Sequence, residues 1–120
     1  MIEHIRSGMT TTADTAEGSY APPGALDFVE RAAMESGMRA VLSFETTGRI
    51  SEENACLGLE ENIKFFQRAQ ERNGRVTGRI RVHTTFTCST ELLQEVRAAA
   101  DKIGAGVMMH MADDRYHIYV

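Results

Sequence analysis

At 120 residues, with 42% hydrophobic and 25% charged side chains, the chain has the size and balance of one globular domain that can bury a core. Its formal net charge of -4, with no clustered Lys and Arg, excludes a surface built to displace counterions from nucleic-acid phosphates. There is no run of about 18 apolar residues to span a membrane and no basic segment leading into an apolar one, so a cytoplasmic location is expected. Cys56 and Cys88 are too far apart for a close-spaced metal pair and read as reduced thiols.

In chain order, "IEHIRSG" reads as the last turns of a helix ending at Gly8, and "MTTTAD" as a short strand. Pro22 and Pro23 then open a helix, "GALDFVERAAMES", with Leu26, Val29 and Ala33 on one face and Gly37 as its terminator. "RAVLSFE" is a mostly apolar strand. Ser51, followed by Glu52 and Glu53, caps a second helix whose buried stripe is Leu59, Ile63 and Phe66. "RNGRVTG" breaks that helix, and "RIRVHTTF" is a β-branched strand. Ser89 and Glu91 open a third helix, which turns Leu92, Leu93, Val96, Ala100 and Ile103 inward and ends at Gly104. "AGVMMHM" closes the series as an apolar strand expected to be buried on both faces.

Four strands alternating with three helices predict a parallel α/β architecture with right-handed crossovers, because each helix returns the chain to the same end of the sheet. All strand-to-helix loops then share one end, and with them Asp14, Glu45, His83, His110 and Asp113. In parallel α/β folds that carboxyl end is where ligands and catalytic groups sit.

Two readings of His83 and His110 stand at this point. Each is a strand-end histidine with one ring nitrogen bonded to a backbone carbonyl, or the two belong to one active site. Strand parity puts Arg81 on the same face as His83, with Ile80 and Val82 on the other, so that an arginine beneath the histidine needs either a partner or a bulge. Glu60, Glu61 and Lys64 read as a solvated helix face, and Met108, Met109 and Met111 as core filler. Cys88 precedes a helix N-terminus, but no base is paired with it in sequence.

The run "RVHTTFTCSTELLQEVRAAADKIGAGVMMHMADD" resembles the middle of the amidohydrolase superfamily: a strand ending in His, a loop with Thr-Cys-Ser, a helix, and a strand ending in His followed three residues on by an acid. The branch it resembles is that of the metal-dependent aminohydrolases, which includes chlorohydrolases, methylthioadenosine/S-adenosylhomocysteine deaminases and the SsnA-like group. "IRSGMTTTAD" and "GMRAVLSFETTGRIS" followed by "GLEENIKFF" resemble the preceding elements, so the likeness covers almost the whole chain.

The resemblance implies about half of a (β/α)₈ TIM barrel over residues 1–120, containing the second to fifth strands. The parent activity is hydrolysis of C–N bonds in cyclic amidine, purine-like or pyrimidine-like substrates, by water that a zinc or iron ion activates. It also implies a role for each of three residues: His110 as the metal ligand after the fifth strand, Asp113 as the catalytic proton shuttle, and His83 as the histidine that contacts substrate. Asp113 is one methylene shorter than the family's usual Glu. The family's His-x-His pair, its further histidine and its metal-binding aspartate belong to strands outside this stretch. A catalytic zinc uses about three protein ligands plus water, so the chain alone is expected neither to retain a metal nor to act as an enzyme. The implied partners are a small nitrogen heterocycle, and a second copy of the chain or a complementary barrel fragment. Two other readings are a non-catalytic assembly module and a small flavodoxin-like binding domain whose histidines are structural.

Overall fold

The computed structural model describes residues 1–18 and 23–112. In chain order the elements are α1 (Ile2–Arg6), β1 (Thr11–Ala16), α2 (Ala25–Ser36), β2 (Arg39–Thr46), α3 (Glu52–Arg72), β3 (Val76–Gly78), β4 (Ile80–Val82), a 3₁₀ turn (Thr85–Thr87), α4 (Thr90–Ile103) and β5 (Val107–Met109). The helix signals act as the sequence predicts. The Ser51 and Ser89 side chains accept from the backbone N–H groups of Asn54 and Leu92, and Gly37 and Gly104 end their helices at positive φ.

Every strand pair is parallel, and the order along the sheet is β1, β2, β3/β4, β5. Each strand lies beside its neighbour in sequence, and the helices pack on one face only. Leu26 and Ala33 of α2 meet Ala40, Leu42 and Phe44 of β2, with Phe65 and Ala69 of α3. Ala55 and Leu59 of α3 meet Ile80 and Val82 of β4, with Leu92, Val96 and Ala100 of α4. Each large apolar side chain buried in these seams is worth about 1.5–3 kcal/mol relative to exposure. A flavodoxin-like sheet would reverse its strand order at a switch point and carry helices on both faces. The strands instead curl into about half of a (β/α)₈ barrel, which replaces the flavodoxin-like alternative.

Alternation along the strands assigns the other, concave face to the odd-numbered residues of β2 and β4. Ser43, on this face, is fully buried and donates to Met108 Sδ at 3.4 Å. Asp14 is in register with Leu42, and so belongs with the helix-facing positions rather than the concave ones. β1 runs two residues beyond the predicted "MTTTAD", and the acid at its concave end is Glu17.

The third strand begins inside the predicted helix break and is split at Arg79. Ala40 N–H donates to Arg75 O, and Arg79 N–H to Leu42 O. A parallel ladder repeats every two residues, so the next bonds on β2 fall at Phe44. There the side chain of Asn62 intrudes, Oδ1 accepting from Phe44 N–H and Nδ2 donating to Phe44 O, both at 2.8 Å. Pairing resumes at Glu45 with Arg81 in the same register, so no bulge is present.

Two further expectations are corrected. Glu61 is buried, not solvated: its carboxylate accepts from the N–H groups of Gly24 and Leu26 at 2.8 and 3.0 Å and caps α2 from a neighbouring helix. β5 is shorter than "AGVMMHM" and only half covered, with Val107 exposed, because it pairs with β4 alone at the edge of the sheet. Among the described residues no helix is long and apolar enough to cross a membrane.

Candidate functional site

The carboxyl ends of the strands bring five ionisable side chains together on the concave face: Glu17 after β1, Glu45 near the end of β2, Arg81 on β4, and His83 and His110 just past β4 and β5. The neighbouring strand ends are tied by a bond from His110 N–H to His83 O at 3.1 Å, and the two rings meet edge to face with centroids 5.6 Å apart. His83 and His110, chosen from sequence, therefore share one site. Asp113 and His117 lie outside the described residues.

Arg81 has the partner that strand parity required. It is only 1% exposed, and its Nη2 donates to Glu17 Oε1 and to His110 Nε2, both at 2.7 Å. A guanidinium carries donors and no acceptor, so His110 Nε2 must accept, which leaves the ring proton of the neutral imidazole on Nδ1. Arg81 Nη1 is buried and has no hydrogen-bond partner among the described residues. The hydrogen bond from Arg81 holds the Glu17 carboxyl below the usual carboxylate range, against the opposing effect of burial.

A second pair flanks the first. Arg49 binds Glu45, whose Oε1 lies 3.8 Å from His83 Nε2, while His83 Nδ1 is 3.0 Å from Thr87 Oγ1. Thr84 and Thr87 form a reciprocal capping box that fixes the turn after β4, which is why the predicted strand over 79–86 ends early. Glu17, Glu45, Thr47 and Arg49 line a cavity of about 390 Å³ at the mouth of the concave face. A larger one, about 680 Å³ between the N-termini of α3 and α4, is lined by Cys56 and Cys88 and shares only Arg49 and Thr87 with the site chemistry. Cys88 packs against the α3–α4 seam with its thiol 3.6 Å from Thr46 O, a structural placement.

Burial chiefly, and then the positive charge of Arg49, lower the His83 pKa, while Glu45 opposes them. A histidine whose folded pKa is depressed binds fewer protons than the unfolded chain in the interval between the two values. Stability is therefore full above about pH 6.5 and is lost as pH falls toward the folded pKa. We expect the His83 ring to titrate below an unstructured histidine in an NMR titration, and Arg49→Gln to move it upward. Titration at the unperturbed value, unmoved by Arg49→Gln, would remove burial and Arg49 as the causes.

The sequential parallel sheet, with its helices on one side and paired histidines at the carboxyl ends of its strands, defines a section of a (β/α) barrel. A sequence model of the Amidohydrolase family matches residues 1–120, and the chain belongs to that family. It is 34% identical over 121 residues to a 5'-deoxyadenosine deaminase of Methanobrevibacter smithii, covering 98% of this chain and 26% of that protein. It is also 36% identical over 115 residues to a 5-methylthioadenosine/S-adenosylhomocysteine deaminase of Desulfitobacterium hafniense, covering 92% and 24%. In fold it matches the atrazine chlorohydrolase TrzN of Arthrobacter aurescens, solved in complex with zinc, with a TM-score of 0.69 at 14% identity over 93% of this chain and 28% of that one. The chain thus spans about a quarter of the length of the curated relatives it matches.

A divalent metal accords with the family, but the described residues do not fit one. They contain no group of three His, Cys, Asp or Glu side chains able to hold a metal ion. His110, the residue expected to ligate, accepts from Arg81 through its Nε2 instead.

Proposed function

We propose that residues 1–120 form one partial-barrel domain, the second-to-fifth-strand section of an amidohydrolase whose whole barrel hydrolyses a C–N bond in a purine-like substrate. The observation that carries this reading is the meeting of His83 and His110 on the concave face, with ring centroids 5.6 Å apart at the ends of successive parallel strands. His83, kept largely neutral by burial and Arg49, is the group that meets the substrate heterocycle, either donating to a ring nitrogen or accepting from an exocyclic amine. Asp113 is the proton carrier. His110 is the metal ligand.

The isolated chain is inactive and retains neither zinc nor iron, because a lone imidazole is too weak a site. A complete structural zinc site is worth about 10–16 kcal/mol, against about 1.5–3 kcal/mol for a hydrogen bond to a charged group such as Arg81. A completed shell therefore takes His110 from the guanidinium, whereas an incomplete one does not. The partner in this reading is a complementary barrel segment, or a second copy, on the β1 and β5 edges, each of which pairs on one side only in the sheet. The location is the cytoplasm, in keeping with two free thiols.

The test is a chimera in which residues 1–120 replace the matching section of the Methanobrevibacter deaminase. Ammonia release from 5'-deoxyadenosine is expected. His83→Ala should lower kcat/KM by about 100-fold, the scale of a lost transition-state contact, with metal content unchanged. Asp113→Asn should lower kcat without loss of metal. A folded, metal-loaded chimera without activity, or one indifferent to both substitutions, would remove the deaminase reading.

A further inference from the structure

The buried guanidinium of Arg81 has no role in the function proposed above, yet it is the most enclosed charged group of the concave face. Its position is set by the strand, since it lies in register with Glu45 on one side and Met108 on the other. One nitrogen, Nη2, serves both Glu17 and His110, while Nη1 has no partner among the described residues. A fully buried cation is costly without a matching anion, so its retention here depends on Glu17. Glu17 Oε1 and His110 Nε2 are 3.9 Å apart, and both accept from the same nitrogen, Nη2.

We propose that Arg81 is the resident cation of the concave face. It holds His110 Nε2 in the place a divalent metal would take, and it keeps that metal off the chain. The inference rests on reading His110 as the family's metal-ligand position. Three observations support the proposal, two for the exclusion and one for the orientation. The Nε2 lone pair is already engaged by a donor that does not deprotonate near neutrality. Among the described residues the carboxylates of the face, Glu17 and Glu45, are each paired with a guanidinium, Arg81 and Arg49, which weakens their attraction for a dication. Finally, the accepted hydrogen bond fixes the tautomer with Nδ1 protonated and Nε2 aimed inward. That is the state a metal ligand needs, so Arg81 also orients His110 for a shell completed from elsewhere in a barrel.

The experiment uses the full 120-residue chain with zinc as the probe. Zinc is titrated while the ¹⁵N shifts of His110 are followed, and bound metal is counted after equilibrium dialysis. In the wild type the His110 nitrogens are expected to show protonated Nδ1 and unprotonated Nε2 and to stay unmoved by zinc. Arg81→Met, an apolar replacement of similar length, should admit zinc at His110 with an affinity about tenfold or more above the wild type, since it removes the competing charge. That gain should vanish in Arg81→Met/His110→Ala. Arg81→Lys keeps a cation and should exclude zinc as the wild type does.

If the wild type binds one zinc through His110, the exclusion is overturned while the metal-ligand reading of His110 survives. If His110 responds to zinc in neither the wild type nor folded Arg81→Met, Arg81 is not what keeps the metal off and the exclusion is overturned. Should Arg81→Met not fold, the wild-type tautomer decides: a proton on Nε2 would contradict the Arg81 contact outright.

Discussion

Asn62→Ala should destabilise the fold by about 3–5 kcal/mol, as read from urea denaturation at constant m-value. The side chain is fully buried and satisfies both backbone groups of Phe44 in the middle of β2, where the parallel ladder to the third strand is interrupted. Its Nδ2 also lies within bonding distance of Gly58 O and Thr46 Oγ1. Truncation strands one donor and one acceptor in the interior, and each such group costs about 1–3 kcal/mol beyond the volume lost. Asn62→Asp provides the chemical control. One oxygen still accepts from Phe44 N–H, but the other would face the Phe44 and Gly58 carbonyls without a proton to offer, so Asp should be no better than Ala. A loss below about 1 kcal/mol in Asn62→Ala would mean that β2 and the third strand close their own ladder once the amide is gone.

The sequence shows where its own limits lie around this helix. Spacing alone placed Leu59, Ile63 and Phe66 on the apolar stripe of α3, and the structure buries or half-buries all three. Asn62 falls on the same stripe, three residues from Leu59 and four from Phe66, so an amide inside an apolar periodicity was the available signal for a ladder break. Glu61 was misjudged because α3 packs against both α2 and α4 as well as the sheet. Its covered arc is therefore wider than the stripe expected of a helix with one buried face.

The site divides in a similar way. His83 and His110 were legible because strand ends in a parallel sheet converge, and convergence depends only on element order. Arg81 raised a question that local sequence could not answer, since its partner Glu17 is 64 residues away and just beyond where the first strand was expected to stop. The strand end moved because local β-propensity does not fix strand limits, and pairing with Arg39–Thr46 selects which six residues join the sheet.

Gly58→Ala is the substitution for which propensity and packing predict opposite signs. Within a helix interior, alanine is favoured over glycine by about 1 kcal/mol, so the sequence alone predicts a gain. The structure predicts a loss. A Cβ built on Gly58 would sit 2.6 Å from the carbonyl oxygen of Glu45 and 3.4 Å from Thr46 Cα, where α3 crosses the carboxyl end of β2. The first contact is with backbone, which cannot swing aside as a flexible side chain would. Gly78, whose Cβ would come within 3.0 Å of Phe66 Cα, marks a second close approach of the same helix to the sheet. To relieve the clash, α3 must lift from β2 and loosen the Asn62 bonds at Phe44, and overpacking of this kind costs about 1–3 kcal/mol or more. With the propensity gain set against the clash and the weakened amide bonds, a net loss of about 2–3 kcal/mol is expected in chemical denaturation, and Gly58→Val should lose more. The displacement also reaches function, because the strand end that moves carries Glu45, and Glu45 with Arg49 sets the electrostatic surroundings of His83. Gly58→Ala should therefore shift the His83 titration, and a stabilised protein with that titration unchanged would show that α3 has room at this crossing.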